Sequence, residues 1–246
     1  MHTALVLAAG KSTRIQSISS GRPKPLLEVG GQTVLERNLR QLAAAGVSEV
    51  WINLHYEGDQ IGALIGDGRG YGLHVGYSWE PELLGTAGAA KKLEPVLGNG
   101  TFLVVYGDNL TRLDLREMIS QHNQDSALVT VAVFHQDRVP NTGLAGGRVV
   151  LGDGWRIQRF DEGSGSDSPF VNAGVYVVEA QVLQSIPPYV FQDFGHDVFP
   201  VLLAQDAPIY AYPISGYCLG IDTPEALARA SDLIGRLEHP EEAHTL

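Results

Sequence analysis

The sequence predicts an α/β domain with a mostly parallel sheet. Short runs rich in apolar and β-branched residues alternate along the chain with stretches whose apolar residues recur at helical spacing. Of the 246 residues, 44% are hydrophobic and 18% are charged, so the chain is long and apolar enough to bury a sizeable core. The later half is richer in strands, and we therefore expect antiparallel strands there, as a β-rich insertion.

The first half alternates strand and helix from its beginning. The apolar run at 3–9 predicts a buried strand, and leucines at helical spacing predict a helix over 35–45 with Gly46 as its C-cap. This alternation is typical of parallel strands joined by crossover helices. The other elements predicted in this half are strands at 50–54, 74–77 and 102–106, a helix at 60–65 and a glycine-rich turn at 66–72.

The second half continues the same domain. We find no internal repeat and no proline-rich linker, and the loop of low complexity at 163–168 has strands on both sides. We therefore expect one domain over 1–236, followed by a polar tail at 237–246. The elements predicted here are strands at 127–134, 147–151, 155–160, 173–179 and 208–213, and helices at 195–205 and 224–236.

The charge balance restricts the classes of partner. Seventeen Lys and Arg against 28 Asp and Glu give a net charge of −11, with a sequence pI near 5.1. An acidic chain is poorly suited to bind the phosphate backbone of nucleic acids or an anionic membrane surface. A phosphorylated small molecule stays compatible with this charge, because a few local cations and backbone amides are enough to bind one.

Hydropathy and cysteine content favour a cytoplasmic protein. No segment reaches the roughly 18 apolar residues that a membrane span needs. The first apolar run is short and lacks a basic region before it, so it fails as a signal peptide. A single cysteine, Cys218, excludes an intrachain disulfide and a cysteine-rich zinc site.

The loop after the first strand has the composition of an anion site. Gly10-Lys11-Ser12-Thr13-Arg14 follows the strand, and a small-residue loop at the carboxyl end of a parallel strand exposes backbone N–H groups. The loop is not a P-loop, because that motif needs a glycine where this chain has Leu5. A G-x-G-x-x-G motif is also missing here, so a nicotinamide-binding loop is disfavoured.

These residues resemble the signature of sugar-phosphate nucleotidyltransferases. The usual pattern, L-A-A-G-x-G-T-R followed by P-K-P, matches 7–14 and 23–25, with Ser12 where glycine is commoner. Six motifs in order are a specific signal, and they cover nearly the whole chain. The later ones are Leu84-Gly85-Thr86-Ala87-Gly88, Tyr106-Gly107-Asp108, Phe160-Asp161-Glu162, Asn172-Ala173-Gly174-Val175-Tyr176 and Asp197-Val198-Phe199-Pro200.

The resemblance implies a fold and a reaction. The fold is that of nucleotide-diphospho-sugar transferases, a Rossmann-like three-layer domain with a nucleotide-binding part over about 1–110 and a sugar-binding part over about 111–236. In the reaction, a sugar 1-phosphate attacks the α-phosphorus of a nucleoside triphosphate in line and pyrophosphate leaves. Positioning and cations lower the barrier, and Mg²⁺ is the implied cofactor. No protein nucleophile is needed.

Three cations are candidates for the phosphates. Arg14 is predicted to clamp the leaving end of the triphosphate, because a guanidinium matches phosphate oxygens. Lys24, between two prolines, resembles the family lysine that contacts the reacting phosphates, whereas Lys11 either reaches a phosphate or points to water.

Gly85, Thr86 and Gly88 resemble the loop that packs against the base and the ribose of the nucleotide. The full nucleotide-binding set is Leu7, Ala8, Ala9, Gly10, Lys11, Ser12, Thr13, Arg14, Glu80, Gly85, Thr86 and Gly88.

Two aspartates are the candidate Mg²⁺ ligands. Asp108 follows a buried strand, where a carboxylate is costly unless it is paired or binds a metal, and the family places a ligand there. The family often carries Asp-Ile-Gly-Thr-Pro-Glu near its end, but this chain has Gly220-Ile221-Asp222 before Thr-Pro-Glu. Asp222 is therefore either the second ligand or the N-cap of the helix that opens at Pro224.

The sugar is assigned by the resemblance to three residues. Gly143 would bind through its backbone amide, Glu162 through a carboxylate that accepts from hydroxyls, and Asn172 through its side-chain amide. The family usually has lysine after the glutamate, where this chain has Gly163. Arg159 is a candidate for the phosphate contact that the lysine would make.

The base is predicted from one position. Glu80 stands where pyrimidine-using relatives place glutamine, and its two acceptors match the adjacent N–H donors of guanine. The pattern also resembles mannose- or heptose-1-phosphate guanylyltransferases, so GTP with mannose 1-phosphate or a related sugar is the first expectation. UTP or dTTP with glucose 1-phosphate is the alternative. Glu80 could also simply end a strand before Pro81.

Two rival functions stay open. A regulatory subunit would bind a nucleotide sugar without turnover, and the exchange at 220–222 and Gly163 motivate that hypothesis. A cytidylyltransferase acting on a non-sugar phosphate is disfavoured, because Gly143, Glu162 and Asn172 are assigned to sugar hydroxyls.

Two further residues are interpreted individually. His55 is interpreted as structural, since no second His or Cys lies at metal spacing, and Asp197 is a further candidate for a sugar contact. A homo-oligomer is left open.

Overall fold

The computed structural model describes residues 2–10, 15, 21–144, 146–161 and 166–238. In this part of the chain a nine-stranded sheet forms the centre of the molecule, and two short two-stranded ladders lie beside it. The strands are β1 His2–Leu7, β2 Glu28–Val29, β3 Gln32–Thr33, β4 Val47–Leu54, β5 His74–Trp79, β6 Thr101–Tyr106, β7 Asn109–Arg112, β8 Val129–His135, β9 Arg148–Leu151, β10 Ile157–Asp161, β11 Phe170–Glu179, β12 Ile209–Pro213 and β13 Tyr217–Gly220.

Six of the described helices separate into two groups by the face of the sheet they cover, and the seventh packs beside the sheet. Those in the described residues are α1 Val34–Ala44, α2 Gly58–Ile65, α3 Gly85–Lys92, α4 Glu94–Leu97, α5 Leu115–Gln124, α6 Phe199–Ala204 and α7 Pro224–Glu238. Ala4 and Val6 of β1 pack with the apolar faces of α1, α2 and α5, whereas Leu5 packs with α3, α4 and α6. This alternation along a strand whose centre is fully buried produces the expected three-layer fold.

The sheet is parallel in its first half and mixed in its second. Its order is β10-β9-β11-β6-β1-β4-β5, with β8 paired to β11 and β12 paired to β8. Strands β6, β1, β4 and β5 are mutually parallel, whereas β11 runs antiparallel to β6, β8 and β9. The expectation of a mostly parallel core with antiparallel strands from the later half is confirmed.

Local sequence explains several boundaries. A capping box begins α1, since Thr33 Oγ1 accepts from Glu36 N and the Glu36 carboxylate accepts from Thr33 N. The helix predicted over 195–205 is a π turn at Phe194–Val198 followed by α6. Helix α7 continues to Glu238, past the predicted start of a polar tail, because Arg37 pairs with Glu238 at 2.6 Å.

The ladder of β7 and β13 places two loops of the site together. It is antiparallel, with Gly220 opposite Asn109, so the residues before β7 and after β13 lie at the same end. Helix α7 and the ladder share an apolar cluster that includes Leu110, Leu219 and Ile234. Among the described helices, none is both long enough and apolar enough to cross a membrane.

Candidate active site

Two adjoining cavities lie at the carboxyl ends of the parallel strands, where open α/β sheets bind ligands. The first cavity measures about 240 Å³ and the second about 450 Å³. Lys24, Tyr106, Asp108 and Asp193 line both, so the two cavities meet at these residues. The first cavity is also lined by Leu7, Ala8, Ala9, Gly10, Pro25, Asn53, Glu80, Leu83, Gly85, Thr86 and Phe191, and the second by Asn109, Leu144, Gly146, Gly147, Asn172, Gly174, Gly195, His196 and Asp222.

Buried hydrogen bonds join the strand ends around the first cavity. Asn53, at the end of β4, accepts from Ala8 N at 2.7 Å and donates to Glu80 Oε1 at 2.9 Å. Glu80 Oε2 accepts from Leu84 N at 3.0 Å. His55 Nδ1 lies 2.8 Å from the Glu80 carbonyl oxygen, which agrees with its structural interpretation. Asn53 is not among the predicted site residues, although an amide side chain at the end of an apolar strand is a usable signal.

The Glu80 carboxylate therefore stabilises the loop at 80–84 by accepting hydrogen bonds from Asn53 and Leu84. Its side chain is buried, and each carboxylate oxygen already accepts one bond from the protein. Each oxygen keeps further acceptor capacity, and the residue lines the first cavity, so a contact with a base stays a prediction.

Gly85, Thr86 and Gly88 were expected to form a loop, and the structure shows a helix start instead, whereas their contact with the nucleotide stays a prediction. They begin helix α3, and Gly85 has a φ of +73°. A Cβ on Gly85 would lie 2.4 Å from the Gln192 carbonyl oxygen, and one on Gly88 would lie 2.6 Å from that of Val190. The missing side chains thus leave room for the segment 190–192 of the protein itself.

Gln192 and the residue after it, Asp193, accept the hydrogen bonds that the first backbone amides of α3 donate. The Gln192 carbonyl accepts from Ala87 N at 2.8 Å and from Gly88 N at 3.1 Å. Asp193 Oδ1 accepts from Thr86 N and Thr86 Oγ1 at 3.1 and 2.9 Å. Because these donors are used within the protein, the start of α3 is poorly suited to bind a phosphate. Gly85 and Thr86 still line the first cavity, whereas Gly88 is not among its lining residues.

Lys24 lies between the two candidate metal ligands. A 3₁₀ turn at Lys24–Leu26 holds the lysine, which is almost fully buried. Its Nζ forms a close ion pair with Asp222 Oδ1 and lies 3.5 Å from Asp108 Oδ2. Partial burial raises the pKa of the Asp108 carboxyl and the Asp222 carboxylate raises it further, whereas the Lys24 ammonium acts in the opposite direction.

The structure favours the ligand interpretation of Asp222. The capping bond at the start of α7 comes from Thr223, whose Oγ1 accepts from Ala226 N at 3.2 Å. Asp222 lines the second cavity and pairs with Lys24. A Cβ on Gly220 would lie 2.5 Å from Leu144 Cδ1, so a side chain at position 220 would require the Leu144 side chain to move. The carboxylate therefore enters the site two residues later than in the family pattern.

The two carboxylates suit Mg²⁺ as a pair. Magnesium prefers oxygen ligands and is usually bound by one or two carboxylates, with substrate phosphates and water completing the shell. Within the described residues, no group of three or more His, Cys, Asp or Glu side chains could hold a metal by itself. The donor set of Asp108 and Asp222 thus fits a metal that arrives with a phosphorylated substrate.

Of the residues predicted to bind the sugar, Asn172 lines the second cavity, whereas Gly143 lines neither cavity. Asn172 lines the second cavity, and its side chain accepts from Gly174 N at 2.9 Å and donates to the Tyr176 hydroxyl at 2.8 Å. Gly143 is exposed, and its N–H donates to Asn141 Oδ1 at 3.0 Å. This amide therefore stabilises its own loop, and Leu144, Gly146 and Gly147 line the cavity.

Two further candidates for the sugar side have other partners. Arg159 pairs with Asp161 on the exposed side of β10, through contacts of 2.5 and 3.0 Å, and it lines neither cavity. The Asp197 oxygens accept from Asp193 N at 2.7 Å and pair with His196 Nδ1 at 2.7 Å. His196 itself lines the second cavity and was missed from the sequence.

Some predicted site residues lie outside the described residues. They are Lys11, Ser12, Thr13, Arg14 and Glu162, and their predicted roles on the triphosphate and the sugar stay predictions.

Comparisons with known proteins identify the family of this chain. Residues 3–235 match the family described as nucleotidyl transferase. Mannose-1-phosphate guanylyltransferase of Mycobacterium tuberculosis is 35% identical over 94% of this chain and 64% of its own length. UTP--glucose-1-phosphate uridylyltransferase of Synechocystis is 31% identical over 85% of this chain and 57% of its own length. The chain thus spans about three fifths of these curated relatives.

Solved structures share the fold at low identity. HddC from Yersinia pseudotuberculosis superposes with a TM-score of 0.80 at 22% identity, covering 95% of this chain and 100% of that one. A putative glucose-1-phosphate thymidylyltransferase from Bacillus anthracis gives 0.82 at 18%, covering 95% of each chain. These likenesses confirm the Rossmann-like fold expected from the sequence.

Proposed function

The chain belongs to the nucleotidyl transferase family, and from this premise we propose that it transfers a nucleoside monophosphate from a nucleoside triphosphate to a sugar 1-phosphate. GTP and mannose 1-phosphate or a related sugar are the proposed substrates. The observation that carries the proposal is the junction of the two cavities at Lys24 and Asp108, with Asp222 beside them. A nucleotide in one cavity and a sugar phosphate in the other would bring their phosphates to this junction.

The reaction needs alignment and charge compensation rather than a protein nucleophile. A phosphate oxygen of the sugar 1-phosphate forms a bond to the α-phosphorus while the bond to the leaving pyrophosphate breaks. Lys24, held in a 3₁₀ turn, supplies a fixed positive charge beside the reacting phosphates. Two substrates held in adjoining cavities would meet in line, which removes much of the entropic cost of a bimolecular step.

The residues that would hold Mg²⁺ are Asp108 and Asp222. When bound, the metal would neutralise negative charge on the phosphates, which lowers the barrier to attack by another anion. The two carboxylates carry more negative charge than Lys24 alone offsets, so a divalent cation and a phosphate group can enter this region together. Metal binding would also leave the lysine ammonium available to a phosphate oxygen.

Two observations support guanine. The relative from Mycobacterium tuberculosis, aligned over 94% of this chain, is named a guanylyltransferase. Glu80 lines the first cavity with acceptor capacity remaining on both oxygens, which suits the N1–H and N2–H donors of guanine. The second candidate is UTP, because the Synechocystis relative is named a uridylyltransferase.

The test is a matrix of nucleoside triphosphates against sugar 1-phosphates, scored for pyrophosphate release with Mg²⁺. It should include ATP, CTP, GTP, UTP and dTTP, each with mannose, heptose and glucose 1-phosphates. We expect the largest kcat/KM with GTP. A preference for UTP overturns the guanine assignment and keeps the transferase. Release from no pair, with calorimetric binding of a nucleotide sugar, would instead support the regulatory-subunit hypothesis.

A further inference from the structure

A buried asparagine at the end of β4 joins the ends of the two neighbouring strands, β1 and β5. Asn53 and Glu80 are each 3% exposed, and both line the first cavity. We propose that Asn53 is a positioning residue for base choice, because it requires the side chain at position 80 to be a pair of hydrogen-bond acceptors. This inference rests on the proposed function and adds the residue through which the preference for guanine is set.

The backbone brings the three strand ends together without help from these side chains. In the register of the parallel strands, Asn53 pairs with Leu7 of β1 on one side and with Ser78 of β5 on the other. Glu80 N donates to the Leu54 carbonyl oxygen at 2.8 Å, which fixes the residue after β5 beside the end of β4. A substitution at position 53 or 80 therefore changes which polar side-chain atoms meet and leaves these backbone bonds in place.

The orientation of the Asn53 amide is set by a donor that cannot change. The backbone N–H of Ala8 only donates, so the side-chain atom 2.7 Å from Ala8 N is Asn53 Oδ1. Asn53 Nδ2 then faces Glu80 Oε1 at 2.9 Å and donates to it. Glu80 Oε2 accepts from a second backbone donor, Leu84 N, at 3.0 Å. The side chain at position 80 thus has to present one acceptor to each of two donors.

A carboxylate supplies two such acceptors, and a primary amide supplies one. With glutamine at position 80, either Asn53 or Leu84 would face an NH₂ group, and a buried donor would lose its partner. Each oxygen of Glu80 keeps further acceptor capacity, and the residue lines the first cavity. Two acceptors match the adjacent N1–H and N2–H donors of guanine. Asn53 therefore favours guanine through the side chain that it requires at position 80.

Exchanging the two functional groups would reverse the polarity of the pair and keep its hydrogen bonds. In the double variant Asn53→Asp/Glu80→Gln, the new carboxylate would accept from Ala8 N and from the new amide, whose oxygen would accept from Leu84 N. The net charge is unchanged. The new amide would keep one N–H and one lone pair, which match the N3–H donor and a carbonyl oxygen of uracil. The double variant thus separates the structural role of the pair from its role in base choice.

The test is a double-mutant cycle of Asn53→Asp, Glu80→Gln and both together, with Asn123→Asp on the exposed side of α5 as the charge control. Each single variant at 53 or 80 places like groups opposite each other, so we expect a lower melting temperature and a lower kcat/KM for GTP. The double variant should recover most of the melting temperature. Its ratio of kcat/KM for GTP to that for UTP should fall at least about tenfold, the size of one mismatched hydrogen bond.

Two further readouts serve as controls. The KM for the sugar 1-phosphate should stay within twofold of wild type in the double variant, because positions 53 and 80 line the first cavity and not the second. Asn123→Asp should match wild type in melting temperature and in the ratio for the two triphosphates.

Stability and base preference can each contradict the inference. A double variant as unstable as the sum of the two single changes would show that Asn53 does not set the polarity of the side chain at position 80. A folded double variant whose ratio for GTP and UTP stays within twofold of wild type would leave Asn53 with a structural role only. If wild type releases no pyrophosphate with any pair, the proposed function fails. Calorimetric dissociation constants for GTP and UTP, measured on wild type and the double variant, then decide the inference by the same ratio.

Discussion

The two cavities are built in different ways. The first lies at the ends of β1, β4 and β5, and its polar groups Asn53 and Glu80 are buried and bonded to the protein. The second is walled by glycines in the segment before β9 and by a π turn that exposes His196. The parallel sheet thus supplies much of the wall of the first cavity, which we propose binds the nucleotide, whereas segments of the β-rich half supply much of the wall of the second, which we propose binds the sugar phosphate.

The junction between the cavities is shared by both walls. Asp108 follows β6, whereas Asp222 follows β13, and the ladder of β7 with β13 brings them together. Changes at the junction should remove the reaction itself, changes in the first wall should affect folding together with base choice, and changes in the second should affect sugar choice.

The largest effect is expected at the junction. Asp108→Asn should lower kcat by about a thousandfold or more, since a metal contributes several kcal/mol of transition-state stabilisation. The melting temperature should not fall, because an amide carries no charge to desolvate. Pyrophosphate release at saturating Mg²⁺ and thermal unfolding measure the two quantities, with the exposed Asp59→Asn in α2 as the control. Near wild-type rates would remove Asp108 from the mechanism.

The next largest effect is expected where helix α3 contacts the segment 190–192. Gly85→Ala should lower the free energy of unfolding by about 3 kcal/mol. Gly85 has a positive φ, and a Cβ at this position would lie 2.4 Å from the Gln192 carbonyl oxygen. Gly62→Ala is the matched control, since Gly62 lies in helix α2 with nothing near a Cβ, and we expect it to stabilise by up to about 1 kcal/mol. Denaturant unfolding decides the comparison. Equal stabilities would show that segment 190–192 can move away from α3.

A smaller effect is expected within the first wall. Glu80→Gln should cost about 2 kcal/mol of stability, because Asn53 and Leu84 both donate to this side chain and one of these donors would then face an amide donor. If Glu80 also reads guanine, kcat/KM for GTP should fall more than kcat/KM for UTP. Parallel losses for both triphosphates would leave Glu80 with its structural role only.

The sequence predicted the sheet better than the site. Continuous apolar runs at β1 and β6 identify buried strands from local residues alone. Helix α3 was missed, because two glycines in its first turn argue against a helix and its first amides are satisfied by Gln192, more than a hundred residues away. Lys24 and Asp222, which form an ion pair, are 198 residues apart in the sequence. Contacts of this kind depend on topology and leave no local pattern.

The smallest effects separate the two interpretations of the Asp222 region. Asp222→Ala should raise the Mg²⁺ concentration for half-maximal rate by at least about tenfold, since even indirect partners of a metal cost that much when removed. Thr223→Ala should instead lose about 1 kcal/mol of stability through the cap of α7, with the Mg²⁺ dependence unchanged. Rate against Mg²⁺ concentration and denaturant unfolding, measured on both variants, give opposite patterns for a ligand and a cap. If Asp222→Ala loses stability and keeps its Mg²⁺ dependence, Asp222 stabilises the fold through its ion pair with Lys24 and is not a metal ligand. In that case Asp108 and the substrates would hold the metal.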